Sequence, residues 1–304
     1  MLPTIQDISE AALRIKGLIH HTPVLTSSSL NKIFGSSIYF KCENMQRAGA
    51  FKFRGATNSV FSLSDQDASK GVATHSSGNF AQALALAAGI RGIKSFIVMP
   101  DSSPKAKTDA VAGYGGKIIF CESNLKAREE TLEKVVSETG AVFLHPYNNF
   151  NVICGQGTAA LELSDEIREL DIMMAPVGGG GLISGTAIAA KSIAPEIRVI
   201  ASEPAGADDA KRSFDAGIII PSVNPKTIAD GLLTSLGSLT FPIIQKYVDD
   251  IVTVSDEAII EAMKLIWSRM KIIIEPSAAV TVAAMLENKF DYRDSRIGII
   301  LSGG

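Results

Sequence analysis

Lys52 stands between two phenylalanines, in Gly49-Ala50-Phe51-Lys52-Phe53-Arg54-Gly55-Ala56, after a short β-rich run and before a helical pattern. Most lysines are solvated charges. Apolar neighbours desolvate the ammonium, lower its pKa and free the amine to attack carbonyl groups, which is the chemistry of a Schiff-base lysine. A second polar cluster is His75-Ser76-Ser77-Gly78-Asn79-Phe80-Ala81, where a strand ends and a helix begins. The free N–H groups of a helix start, the hydroxyls of Ser76 and Ser77, the backbone of Gly78 and the Asn79 amide together suit a carboxylate. An ordinary capped turn, in which Ser77 or Asn79 bonds only its own backbone, is the equal alternative.

Two further stretches offer ligand groups. Pro176-Val177-Gly178-Gly179-Gly180-Gly181-Leu182 follows a strand and precedes a helix. Four consecutive glycines let backbone N–H groups close around a phosphate that also faces the helix dipole. The stretch lacks the Lys-Ser/Thr end of a P-loop and the GxGxxG fingerprint of a dinucleotide site. Ser302, in Leu301-Ser302-Gly303-Gly304, sits where a parallel strand would point into a ligand crevice.

The elements that must position these groups are legible as short β-rich runs at 37–41, 71–75, 94–99, 117–121, 141–145, 171–176, 198–202, 250–254 and 296–302. Between them, apolar residues recur at helical spacing, as in Ala81, Leu84, Ala85 and Ala88. Such alternation predicts an α/β fold with parallel sheets covered by helices. The strand groups divide into a small unit, residues 70–148, and a larger one built from 1–69 and 149–304. With 304 residues, 46% hydrophobic and 20% charged, the chain can bury two sizeable cores.

A net charge of −3 without long runs of one sign gives no footprint for nucleic acid or an anionic membrane. Apolar runs such as 272–274 and 297–301 fall far short of the roughly 20 residues needed to span a bilayer. The N-terminal 14 residues lack the basic and apolar regions of an export signal. Cys42, Cys121 and Cys154 are too scattered for a disulfide framework or a zinc knuckle. A soluble protein of the reducing cytoplasm is expected, its cysteines acting as small apolar residues.

In this order and over nearly the whole chain, the four stretches resemble the fold-type II, tryptophan-synthase-β-like pyridoxal-phosphate enzymes, within them the serine racemase and threonine dehydratase family. His21-Thr22-Pro23-Val24, Gly155-Gln156-Gly157-Thr158, Ala229-Asp230-Gly231 and Glu275-Pro276-Ser277 extend the similarity. The resemblance implies that Lys52 carries pyridoxal 5'-phosphate, that Asn79 meets the ring hydroxyl, that Gly178 to Gly181 hold the phosphate and that Ser302 bonds the ring nitrogen. A neutral serine there leaves that nitrogen largely unprotonated, which weakens the electron sink. It also implies a cation site of Glu203, the Ala207 carbonyl and Asp209, hard oxygen ligands suited to magnesium, calcium or manganese. Without the resemblance, those residues read as a solvated acidic turn. Phe80 departs from the family, which usually has histidine there.

The resemblance further implies a small amino-acid substrate, a homodimer and a nucleotide (ATP) effector. Lys52 and Ser77 would serve opposite faces of Cα, which permits racemisation of serine. Elimination from L-serine, L-threonine or 3-hydroxyaspartate to a keto acid and ammonia is expected alongside it. Threonine dehydratases usually carry alanine where Ser77 stands, and hydroxyaspartate dehydratases share the Ser-Ser-Gly-Asn loop, so a dedicated dehydratase stays open. β-Replacement and a non-catalytic nucleotide-binding protein are further alternatives. No regulatory C-terminal domain is expected.

Overall fold

The computed structural model describes residues 2–304. Helix α1 (Ile5–Ile15) opens on a capping box in which the Thr4 and Asp7 side chains accept from each other's backbone N–H groups. There follow β1 (Val24–Leu25), α2 (Ser28–Phe34), β2 (Ser37–Cys42), α3 (Lys52–Phe61) and α4 (Asp65–Ala68). Next come β3 (Val72–His75), α5 (Asn79–Arg91), β4 (Ser95–Pro100), α6 (Lys105–Gly113), β5 (Lys117–Cys121), α7 (Leu125–Thr139) and β6 (Val142–Phe143). The chain continues through α8 (Phe150–Glu166), β7 (Ile172–Pro176), α9 (Gly181–Ile193), β8 (Arg198–Pro204), α10 (Asp209–Ala216) and α11 (Thr240–Tyr247). It finishes with β9 (Asp250–Val254), α12 (Asp256–Met270), α13 (Pro276–Leu286) and β10 (Arg296–Leu301).

Two sheets result, a four-stranded one in the order β5-β4-β3-β6 and a six-stranded one in the order β1-β2-β10-β7-β8-β9. All pairs are parallel except β1 with β2. Both faces of the larger sheet are buried, and β7 shows why its sequence is a continuous apolar run. Ile172 and Met174 enter one core, whereas Met173 and Ala175 enter the other. The chain order reverses beside β3 in one sheet and beside β7 in the other, which opens crevices at their carboxyl ends. Ser76, Gly178 and Ser302 all lie just past such strand ends.

Every strand expected from the sequence is present, with one shortened and one added. The run 141–145 stops at Phe143 because His145 Nδ1 accepts the N–H groups of Tyr147 at 3.3 Å and Asn148 at 3.0 Å, turning the chain away. Strand β1 is two residues long, too short to show a period. No helix among the described residues is long and apolar enough to cross a membrane.

Helix α3 is fixed from behind by a buried ionic network. Arg54, fully buried, donates from Nε to Glu43 Oε2 at 2.7 Å and from Nη1 to Glu162 Oε1 at 2.7 Å. Buried Lys41 of β2 joins the same Glu162 at 2.8 Å. Removing one partner from such a network leaves a buried charge unpaired and costs about 3–5 kcal/mol. The network therefore ties the helix that begins at Lys52 to α8 and to the turn after β2.

Candidate active site

A cleft of about 1240 Å³ opens between the two sheets, and Lys52, Ser76, Ser77, Gly78, Asn79, Gly178, Gly179, Gly180, Gly181 and Ser302 all line it. Lys52 begins α3, its Nζ 5.0 Å from the centre of the Phe51 ring and 3.3 Å from the Pro146 carbonyl oxygen it donates to. Burial lowers its amine to about 8, although the Glu275 carboxylate pulls the other way. Phe53 is fully buried among Phe80, Leu84 and Val60, so one flanking ring anchors the helix while the other shields the amine. Phe51 N donates to Ser302 O at 2.9 Å, which brings the lysine and the end of β10 together.

The glycines form a loop that larger residues would fill. A Cβ on Gly179 would stand 2.4 Å from the Tyr147 ring. Gly180 has φ +88° at the start of α9, and a Cβ there would stand 2.8 Å from Thr240. Thr240 Oγ1 pins the loop by donating to Gly179 O at 2.8 Å. The N–H groups of Gly178, Gly179 and Gly180 make no hydrogen bond among the described residues, so a helix start and three donors are free for an anion. An amine of lowered pKa, this cradle and the buried Ser302 fit a phosphorylated aldehyde cofactor.

At the opposite wall, Ser76 Oγ accepts from Gly78 N at 3.4 Å. Helix α5 is capped by Gly78, without any side-chain capping bond. Ser77 Oγ makes no hydrogen bond among the described residues. Its hydroxyl is thus free of the fold, against the capped-turn alternative for this serine. Asn79 Nδ2 donates to Glu275 Oε2 at 2.9 Å.

Three cleft residues were not singled out from the sequence as site residues. Glu275 lies next to Asn79 and acts electrostatically on Lys52; its motif was visible, its role was not. His145 is pushed down to about 4 by burial, with His75 and Lys52 adding to the shift. Because Nδ1 is an acceptor, its ring is a neutral Nε2–H donor. Arg128, on α7, has a buried Nε with no hydrogen-bond partner among the described residues.

Glu203, Ala207 and Asp209 do not line the cleft; they gather where β8 ends and α10 begins, all almost fully buried. Glu203 accepts from Lys211 N at 2.7 Å and Ala210 N at 3.2 Å. Burial drives its carboxyl up to about 8 and that of Asp209 up to about 6, and the neighbouring Asp209 charge adds to the shift at Glu203. Asp209 Oδ2 is buried without a partner. Two buried carboxylates, one with an orphaned oxygen, fit a cation of the hard, oxygen-seeking kind. No group of three or more His, Cys, Asp or Glu side chains among the described residues is arranged to hold a metal ion, so backbone and water oxygens would complete the shell.

Comparison with known proteins gives the family. Residues 15–303 match the family described as pyridoxal-phosphate dependent enzyme. The chain is 55% identical over 305 residues to a serine racemase of Arabidopsis thaliana, covering 99% of this chain and 92% of that protein. It is 52% identical over 303 residues to a beta-hydroxyaspartate dehydratase of Paracoccus denitrificans, covering 100% of this chain and 96% of the relative. The crystal structure of serine racemase from Dictyostelium discoideum superposes with a TM-score of 0.96 at 50% identity, covering 99% of this chain and 98% of that one. The chain belongs to the pyridoxal-phosphate dependent enzymes, and pyridoxal phosphate is its cofactor.

Proposed function

We propose that this enzyme racemises serine and also eliminates the hydroxyl from L-serine, L-threonine or 3-hydroxyaspartate, giving a keto acid and ammonia. The observation that carries the reading is the Ser77 hydroxyl, which faces the same cleft as the Lys52 amine and is used by no bond of the fold. Bound pyridoxal phosphate supplies a conjugated electron sink that acidifies the Cα–H of an attached amino acid. The N–H groups of Gly178 to Gly181 and the positive end of α9 bind the phosphate. Asn79 would meet the ring hydroxyl of the bound cofactor, and Ser302 its ring nitrogen. The start of α5, with Ser76 and Gly78, binds the substrate carboxylate. Lys52 Nζ moves the Cα proton on one face and Ser77 Oγ on the other, so a proton can leave one face and return on the other.

A dehydratase specialised for 3-hydroxyaspartate is the second reading, and Arg128 favours it. Its buried, unpartnered N–H on the cleft wall matches a second carboxylate. Incubation of the purified protein with L-serine and with L-threo-3-hydroxyaspartate decides between them. D-serine together with pyruvate is expected from L-serine. Keto acid from hydroxyaspartate with no D-serine from L-serine would leave the dehydratase, and no product from either would overturn both readings. A nucleotide effector belongs to the same proposal, tested by adding ATP to this assay.

Glu203, Ala207 and Asp209 are proposed to hold magnesium, calcium or manganese. A ligand at a hundred times its Kd stabilises the folded state by about 2.7 kcal/mol. Chelation is therefore expected to lower the melting temperature by about 5 °C, and restoring the cation to reverse it. An unchanged melting curve, with no metal found in the protein, would remove the site.

The small unit, 70–148, is proposed to close on the larger one over bound substrate. Polar links already cross the cleft, among them Asn79 to Glu275 and Lys107 Nζ to Asp230 at 2.8 Å. Closure would exclude water from the reacting carbon. We also propose a homodimer, since Trp267 on α12 is 65% exposed and Ile273 in the turn after it 73%. Small-angle scattering reads both: a dimer-sized particle that contracts with a substrate analogue is expected, and an unchanging monomer would contradict both.

A further inference from the structure

Glu275 stands at the N-terminus of α13, yet its side chain bonds none of that helix's N–H groups. It reaches instead to the start of α5, where Oε2 accepts from Asn79 Nδ2 at 2.9 Å. Backbone bonds determine where the carboxylate stands. Glu275 N donates to Gly303 O at 2.9 Å, directly after Ser302, whose own carbonyl takes the Phe51 N–H. Glu275, Ser302 and Lys52 therefore hang from one strand end. Gly303 packs against the other oxygen of the carboxylate so closely that a Cβ there would stand 2.8 Å from Glu275 Oε1.

The two ends of an asparagine amide have nearly the same shape and opposite chemistry. A carboxylate anion can only accept, so the end of Asn79 that faces it must be the N–H₂ end. Once one N–H is captured, the directions of the other N–H and of Oδ1 are set. An amide left free to flip would offer the cofactor a donor in one orientation and an acceptor in the other. A link across 196 residues of sequence thus acts on the one cleft amide that comes from the small unit.

We propose that Glu275 is a positioning residue, which by holding one N–H of Asn79 fixes the end of that amide that bound pyridoxal phosphate meets. The inference rests on the reading that Asn79 contacts the cofactor. Burial pushes the Glu275 carboxyl up, and the Asn79 hydrogen bond is the chief influence favouring the anion, helped by Lys52 and Lys107 against Asp230. Holding the amide and holding the charge are in this way coupled.

The test is a double-mutant cycle on the full chain stripped of cofactor and titrated with pyridoxal phosphate. Glu275→Gln fills the same volume but carries both a donor and an acceptor, so either orientation of Asn79 is satisfied. Glu275→Gln is expected to weaken cofactor binding about tenfold and to shift the absorbance maximum of the bound cofactor, with the melting temperature of the stripped protein unchanged. Asn79→Ala is expected to weaken binding by a similar factor, and the double variant no more than the worse single one, because Glu275 acts through Asn79. Wild-type affinity and spectrum in Glu275→Gln, or factors that multiply to about a hundredfold in the double variant, would overturn the proposal. Should Glu275→Gln fail to fold, Asn79→Asp sets two acceptors against each other; it is expected to lose affinity likewise, and wild-type affinity would count as refutation. Failure of the cofactor reading itself has a separate signature, wild-type cofactor affinity and spectrum in Asn79→Ala.

Discussion

Lys52→Ala yields a protein that folds, loses the absorbance of lysine-bound cofactor and loses turnover by about a thousandfold or more. Alanine has no amine with which to hold the cofactor covalently or to move the Cα proton. The fold does not depend on this side chain, because α3 is anchored by Arg54 and Phe53 rather than by Lys52. Stability gives a second readout. Burial lowers the Lys52 amine to about 8, so below that pH the folded state carries a charge held in an unfavourable place. The sign follows directly: the folded protein binds the proton less well than the unfolded chain, and wild-type stability rises as pH climbs from about 8 toward the ordinary lysine range. Cofactor-free Lys52→Ala should lack that rise and should melt no lower than cofactor-free wild type near neutral pH. The comparison must be made without cofactor, since bound ligand stabilises only the protein that binds it. Near-native activity in the mutant would remove the mechanism altogether.

The parts of this site that were legible in the sequence are those whose signal is local. A lysine between phenylalanines, four glycines in a row and a Ser-Ser-Gly-Asn loop each declare a backbone or side-chain chemistry within a few residues. The alternation of strands and helices was legible for the same reason, because hydrophobic period is a short-range property. Glu275 shows what that signal omits. Its partner Asn79 is 196 positions away, and the two meet only in the folded chain, where the start of α5 faces the N-terminus of α13. His145 looked like the end of a strand, and the structure makes it the residue that ends one, its ring occupied by the two following N–H groups. Arg128 lies on a helix rich in charge, where an arginine reads as solvated; its meaning comes from an orphaned Nε in a cleft that no periodicity reveals. Cores likewise hid polar residues: Lys41, Glu43 and Arg54 are fully buried, and composition alone would have left all three at the surface.

Ser77→Ala should separate the two activities that one cleft supports. If Lys52 Nζ and Ser77 Oγ serve opposite faces of Cα, removing the hydroxyl leaves proton removal from the L-enantiomer with its base. The other face loses its only donor and acceptor of protons. D- and L-serine should then cease to interconvert, and elimination from D-serine should fail with racemisation. Elimination from L-serine or L-threonine requires proton removal by Lys52 and departure of the β-hydroxyl, neither of which uses Ser77, so it should survive. A merely structural serine forecasts otherwise. Loss of a helix cap costs about 1 kcal/mol and slows both enantiomers alike. Helix α5 leaves little room for that account, because Gly78 occupies the cap without a side-chain bond and Ser77 Oγ holds no partner among the described residues. The measurement is the ratio of D-serine to L-serine turnover in wild type and mutant, at equal cofactor occupancy and with melting temperatures compared. A fall of about a hundredfold or more in that ratio, with L-serine elimination retained, is the expected result, of the size that general acid–base catalysis by one group supplies. An unchanged ratio would sink the two-base assignment and leave the enzyme a dehydratase in which Ser77 only shapes the loop that receives the substrate carboxylate.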